Sequence, residues 1–232
     1  LSVQGPQSRN LLQALVGVDL SNDHFKFSTG KYTQLLGIKI WIQKLSYVGE
    51  LGWELFIPAA KAKEIYLAVK QEGKKYNIRD VGMHALNSLR LEKGYRHWGH
   101  DIAAEDNLME AGLSFIANPD ASDFIGKDAF LKAKSLGLPD RRLIQFKLDN
   151  PEPLLYHNEP IVMNGDIVGY LSSAMYGHSI GSAIGMGYVQ SPNLTPEKLK
   201  NANFEIEIAT KRYSAQASLR SLYDPSNEKL NL

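Results

Sequence analysis

The sequence predicts an α+β fold: a portion in which helices and strands are mixed, followed by a small β-barrel. Three observations carry that expectation. Up to about Pro139, some segments place apolar residues at helical spacing and others alternate them. Leu136 to Asp140 is a Gly/Pro linker after which the composition changes. From Arg142 onward the chain is a series of short strand-like runs, LIQFKL, PIVMNGDIVGYLSS, IGMGYV, FEIEIA and RYSAQASL, with almost no helical pattern. The expected domains are 1–139 and 140–232.

Taken in order, Ser2 to Gln4 read as a short strand and Gly5-Pro6 as a turn into a helix. Leu11, Leu12 and Leu15 give that helix an apolar side, and Asp19 to Ser28 is polar loop. Ile38, Ile40 and Ile42 alternate with Lys39, Trp41 and Gln43, which predicts a strand between Leu35 and Ser46. The longest helix is expected over Ala59 to Tyr76, with Ile65, Val69 and Tyr76 inward and a coat of lysines outward. A second runs from Met83 to Lys93, ends at Gly94 as a C-cap, and is expected to turn Met83, Leu86 and Leu89 to the core. A short helix opens at Phe124-Ile125-Gly126-Lys127 and runs through Lys134, with Phe130 and Leu131 inward. Asn164-Gly165 between strand-like runs is the strongest hairpin signal in the chain.

Bulk properties exclude several functions. The chain has 232 residues, 44% hydrophobic and 22% charged, with a net charge of +1. That is enough length for two compact units, and no field draws it to nucleic acid or an anionic membrane. The lysines of the long helix therefore read as a solvated face. No apolar run reaches the length of a spanning helix. The absence of Cys excludes disulfides, thiolate metal sites and Cys nucleophiles, and is compatible with a reducing compartment. The loop YRHWGHDI holds His97, His100 and Asp101, but without helical spacing or a distant partner cluster it does not read as a metal site. No metal is expected.

The stretch that stands out is Lys44 to Pro58, KLSYVGELGWELFIP. Gly49 and Gly52 mark a backbone that bends where Cβ atoms would obstruct. The run after Gly52 reads as a strand, with Trp53, Leu55 and Ile57 on one face and Glu54 and Phe56 on the other. Glu54 is thus an acid in an apolar strand beside a Gly-made opening, to be solvated, paired or used by a ligand. An outward Glu in a plain hairpin is the bland alternative. Glu50 is expected at the exposed turn.

The pattern Y-x-G-E-x-G-x-E, followed by a strand and Pro, resembles the folate-binding segment of the glycine-cleavage T-protein (aminomethyltransferase) superfamily. The resemblance extends over RLEKG (Arg90 to Gly94), Phe124 to Gly126, Arg141-Arg142 and GMGYV (Gly185 to Val189). The segment ALNSLRLEKGYRHWGHDI is most similar to the folate-binding C-terminal half of dimethylglycine and sarcosine dehydrogenases. Two departures from T-proteins point the same way: Leu51 replaces an Asp, and Leu86 and Asn87 stand where T-proteins carry Arg-Asp.

The resemblance implies a T-protein-like folate-binding portion, N-terminally truncated, ahead of the barrel. Glu54 is implied to accept hydrogen bonds from the pterin ring and Tyr47 to lie beside it. Trp98 belongs to the loop that lines the cavity in these proteins, and an Arg in the position of Arg142, just before a barrel strand, reaches the folate. A surface role for Arg142 remains the alternative. The cofactor implied is tetrahydrofolate, and FAD belongs to an upstream amine dehydrogenase domain that is the expected partner. The family's catalytic Asp is expected in an N-terminal stretch that this chain, starting at Leu1, lacks. The implied activity is capture of a one-carbon unit from an N-methyl amine as 5,10-methylenetetrahydrofolate. Its rivals are an aminomethyltransferase proper and a non-catalytic folate-binding scaffold, while the iron–sulfur assembly branch is disfavoured by the lack of Cys. The implied location is cytoplasm, or mitochondrial matrix in a eukaryote.

Overall fold

A computed structural model describes residues 1–232. The chain packs as two units, Leu1–Leu86 with Asp224–Leu232, and Asn87–Tyr223.

The first unit is built on an antiparallel sheet. Its strands are β1 (Ser2–Gln4), β2 (Gly30–Leu35), β3 (Ile38–Gln43) and β4 (Gly52–Phe56), in the order β1-β4-β3-β2. Helices α1 (Ser8–Gln13) and α2 (Ala62–Gly73) supply the second layer. Leu11, Leu12, Ile65 and Val69 share one core with Leu35, Ile40, Ile42, Trp53 and Leu55 of the sheet. The alternation expected in β3 is present, but β2 is an addition to the sequence reading. Its hairpin with β3 turns on Leu36 and Gly37, both at positive φ (53° and 76°), which is the primed-turn geometry that matches strand twist. A leucine at the first position hides that turn from composition.

In the second unit six strands close a barrel. They are β5 (Arg141–Leu148), β6 (Pro160–Met163), β7 (Asp166–Gly177), β8 (Ser182–Gln190), β9 (Phe204–Ile208) and β10 (Lys211–Ser218), in the order β10-β5-β8-β7-β6-β9. Asn164 and Gly165, both at positive φ, join Met163 to Asp166 as the expected hairpin. The glycines of GMGYV serve close packing. A Cβ on Gly187 would lie 2.3 Å from the Tyr170 carbonyl, and one on Gly185 would lie 2.7 Å from Leu171. The barrel is filled by Ile144, Phe146, Leu148, Ile161, Leu171, Phe204 and Ile206.

Three helices complete the chain: α3 (Met83–Glu92), α4 (Lys127–Ser135) and the six-residue α5 (Pro196–Asn201). The expected core face of α3 is corrected. Met83 is exposed, Leu86 and Leu89 are half-buried, and the buried positions are Ser88, Arg90, Leu91 and Glu92. Each of the buried polar residues there has at least one hydrogen-bond partner, although Arg90 Nε and Glu92 Oε2 are left without one. Ser88 Oγ donates to the Tyr176 carbonyl at 2.7 Å, and Glu92 accepts from the Ser179 amide at 2.6 Å. In α4, Phe130 is buried as expected, whereas Leu131 is 37% exposed and lies outside the core. No helix is long and apolar enough to cross a membrane.

Candidate functional site

The Lys44–Pro58 stretch does what its two glycines suggest. Ser46 Oγ accepts the amides of Val48 and Glu50 at 3.3 and 3.1 Å, and Gly49 turns the chain at φ 76°. Leu51 is buried, and its carbonyl accepts from Ser8 Oγ (3.0 Å) and from the Gly5 amide (2.8 Å). At Gly52 a Cβ would lie 2.6 Å from the Val3 carbonyl and closer still to the Gln4 side chain, so only glycine lets β1 pair with β4. Tyr47 is half-buried at the bend. Glu50 is half-buried and engaged with other groups, which corrects its expected place at an exposed turn.

On β4 the side chains alternate as expected. Trp53 is fully buried, edge-on to Phe25 at 6.3 Å, while Glu54 and Phe56 face the other way. That open face is ordered by register. Tyr32, Trp41 and Phe56 form one cross-strand row, and Gly30, Gln43, Glu54 and Ser2 form the next. Tyr32 and Trp41 meet edge-to-face at 5.0 Å. Trp41 Nε1 donates to Gln43 Oε1 at 3.5 Å. The half-buried Glu54 carboxylate makes no hydrogen bond or ion pair with the rest of the chain. It is an acceptor carried on a strand, with no partner within the chain.

Behind this face lies a cationic pair that the sequence did not reveal. Lys44 is 1% exposed, and Lys44 Nζ and Arg9 Nη2 both donate to Asn22 Oδ1, at 2.7 and 2.6 Å. Burial, and then the nearby Arg9, pushes the Lys44 ammonium below the usual lysine range.

In the second unit, Trp98 is 67% exposed on the Tyr95–Ile102 loop. The loop is anchored by Asp101, fully buried, which accepts from Arg90 Nη1 (2.5 Å), from Ser172 Oγ (2.5 Å) and from the His97 amide (2.9 Å). Arg90 also donates to the Tyr95 carbonyl and to Ser173 Oγ, at 3.1 and 2.8 Å. The two histidines of the loop stack with centroids 4.5 Å apart, and no cluster of three His, Asp or Glu side chains is arranged to hold a metal.

Arg142 lies within β5 rather than ahead of it. Its Nη1 donates to the Met109 carbonyl at 2.7 Å, and Arg96 donates to the carbonyls of Gly94, Ala111 and Gly112. Both guanidiniums thus clasp the same loop, where Gly112, at φ 69°, has no Cβ to meet Arg96 Nη2 at 3.0 Å. Burial lowers both arginines, and for Arg96 the charge of Arg142 adds to it. Next to them Arg141 stacks on the Tyr188 ring at 3.5 Å and pairs with Asp106 at 2.6 Å. Burial, and then Asp106, pushes the Tyr188 hydroxyl up.

The four residues singled out in the sequence thus fall in two places: Tyr47 and Glu54 on one turn and strand of the first unit, Trp98 and Arg142 in the second. Gln43 and Trp41 beside Glu54, and the Arg90–Asp101 pair, were not singled out. A strand pattern names the face of each residue but not its cross-strand neighbour.

Comparison with known proteins agrees with this architecture. The chain is 38% identical to the mitochondrial sarcosine dehydrogenase of Homo sapiens over 99% of its length, and spans 25% of that protein. It is 38% identical to an aminomethyltransferase of Halothermothrix orenii over 84% of its length, spanning 54% of that protein. In fold it matches glycine cleavage system aminomethyltransferase T from Bartonella henselae at a TM-score of 0.69 and 18% identity, covering 97% of this chain and 83% of that one. Residues 1–121 match the GCVT N-terminal domain and residues 141–224 the glycine cleavage T-protein C-terminal barrel domain, so the chain belongs to the glycine cleavage T-protein family.

Proposed function

We propose that this chain is the tetrahydrofolate-binding portion of a dimethylglycine/sarcosine dehydrogenase-like protein, with working domains 1–139 and 140–232. The observation that carries the reading is the Glu54 carboxylate, fixed on a strand, flanked by aromatic side chains and unused by the chain itself. A pterin offers a ring N–H beside an exocyclic amine, and one carboxylate accepts from both. Tyr47 packs beside the pterin, and Trp98 and Arg142 are further folate contacts. Bound tetrahydrofolate supplies the nucleophilic N5 that takes up the one-carbon unit. The side chains named here bind, orient and exclude water, and none is assigned a proton transfer. An upstream FAD-dependent domain is the proposed source of the one-carbon unit.

The test is titration of the full-length protein with tetrahydrofolate by calorimetry. Glu54→Gln replaces one acceptor by a donor, so a donor on the ring faces a donor on the protein. Losing that charged hydrogen bond costs roughly 1.5–3 kcal/mol, or about 10- to 150-fold in affinity. Asp23→Asn, at an exposed loop position, is the control and is expected to change binding by less than about 0.5 kcal/mol. Equal effects at both positions would refute the assignment. The rival role as an aminomethyltransferase is separated by whether the full-length protein reduces a dye with N-methyl amines and forms 5,10-methylenetetrahydrofolate.

A further inference from the structure

We infer that Gln43, held by Trp41, reads the ring carbonyl of the ligand that Glu54 anchors, and so makes the site selective for a 4-oxo over a 4-amino pteridine. This rests on the folate reading of Glu54. Gln43 stands directly across from Glu54 in the β3–β4 register, on the same open face. Opposed side chains on such a pair have their Cβ atoms about 4.5–5.5 Å apart, within reach of one small planar ring.

The orientation of the Gln43 amide follows from its neighbour. An indole N–H is only a donor, so the Gln43 atom that faces Trp41 Nε1, at 3.5 Å, is the carbonyl oxygen. The amide nitrogen then points elsewhere, and no group of the chain accepts its protons. The indole itself is held in place by a gap. A Cβ on Gly30 would lie 2.3 Å from the Trp41 ring, so the ring lies over Gly30, the residue that pairs with Gln43 on the far side from Glu54. The two neighbouring rows therefore present an acceptor at Glu54, a donor at Gln43 and an apolar wall at Trp41. A 2-amino-4-oxo pteridine edge carries the complementary set: exocyclic amine and ring N–H donors beside a carbonyl acceptor. A 2,4-diamino edge puts a donor where Gln43 already donates and leaves N3 without a proton for Glu54, so the share of the discrimination that Gln43 supplies is the part the Gln43 variants change.

The experiment measures binding of tetrahydrofolate and of its 4-amino counterpart, tetrahydroaminopterin, to the full-length protein. Wild type is expected to prefer the 4-oxo ligand by at least about tenfold. Gln43→Glu turns the donor into an acceptor and should lower or invert that ratio by about tenfold or more. Gln43→Leu removes the donor without adding charge beside Glu54, and should weaken the 4-oxo ligand about tenfold while changing the 4-amino ligand less than about threefold. Should Gln43→Glu fail to fold, the ratio in Gln43→Leu decides alone. An unchanged ratio in the Gln43 variants, with Glu54→Gln still weakening tetrahydrofolate, overturns this inference and leaves the folate reading standing. If wild type does not bind tetrahydrofolate, or Glu54→Gln binds it as wild type does, the folate reading fails and takes this inference with it.

Discussion

Removing the charge of Asp101 tests whether the Trp98 loop is held by a buried ion pair or only by its backbone. In Asp101→Asn the shape is kept, but Arg90, only 5% exposed at its side chain, loses its counter-ion. At an effective dielectric of about 20, unit charges some 4 Å apart interact by roughly 4 kcal/mol, and breaking one side of a buried pair costs about 3–5 kcal/mol. The amide also replaces one of the two acceptor oxygens by a donor, so either Ser172 Oγ, which donates to Oδ1, or the His97 amide, which donates to Oδ2, then faces a donor. For a protein of this size each kcal/mol lowers the melting temperature by about 2–4 °C, so a fall of roughly 6–20 °C is expected for the unit that carries the barrel. Calorimetric scans of wild type, Asp101→Asn and the Arg90→Met/Asp101→Leu double variant would measure it. The double variant removes both charges and should recover about half of the loss, since the single Ser172 hydroxyl proton, released from Asp101, turns to the Met186 carbonyl at 3.0 Å. A single-variant shift below about 3 °C, or a double variant no more stable than the single, refutes the charge argument.

Two further outcomes are expected. Lys44→Met should raise stability by about 1–2 kcal/mol at neutral pH, because it removes a buried charge that has no carboxylate partner. Since burial lowers the Lys44 ammonium in the folded state, the unfolded chain binds more protons between that lowered value and the usual lysine range. Wild-type stability therefore gains a contribution as pH rises through that window, and denaturant midpoints across alkaline pH should lose that rise in Lys44→Met. Gly169→Ala places a Cβ 1.8 Å from the Tyr188 carbonyl, a backbone atom that cannot step aside, so barrel stability should fall by about 3 kcal/mol or more. Gly17→Ala, which meets nothing within 4 Å, should stay within about 0.5 kcal/mol of wild type in the same denaturation assay.

Much of the architecture was legible because it rests on short-range signals. The alternation at Ile38, Ile40 and Ile42, the left-handed Gly49 and the Asn164-Gly165 turn are each visible within a few residues, and each is in the structure. The misses have different causes. The strand β2 was hidden because its turn residue is Leu36, a side chain that composition places in a core rather than at positive φ. The buried face of α3 was misread because apolar spacing cannot reveal that Arg90 would find Asp101, or that Glu92 would find the Ser179 amide. Leu131 failed for the converse reason: an apolar residue on a short helix need not be covered. At the candidate site, Glu54 was legible as an anomaly in its own strand, while Gln43 acquires meaning only from a register that joins two strands.

That register also implies that substitutions on the open face of β4 leave the fold intact. The position of β4 is set from its other side and from its start. Trp53 and Leu55 are buried in the core, the Leu51 carbonyl is fixed by Ser8 and Gly5, and Gly52 admits β1 at a separation no other residue allows. A slip of one residue would exchange the two faces, placing Glu54 in the core and Trp53 in solvent, at the cost of a buried unpaired carboxylate and a lost aromatic anchor. The core therefore fixes where Glu54 points, and Glu54 and Gln43 contribute little in return. The ligand contacts proposed for that face would be positioned by residues that never touch the ligand. Substitution at Gln43 or Glu54 changes what the sheet presents, whereas substitution at Gly52 or Trp53 changes whether the sheet forms.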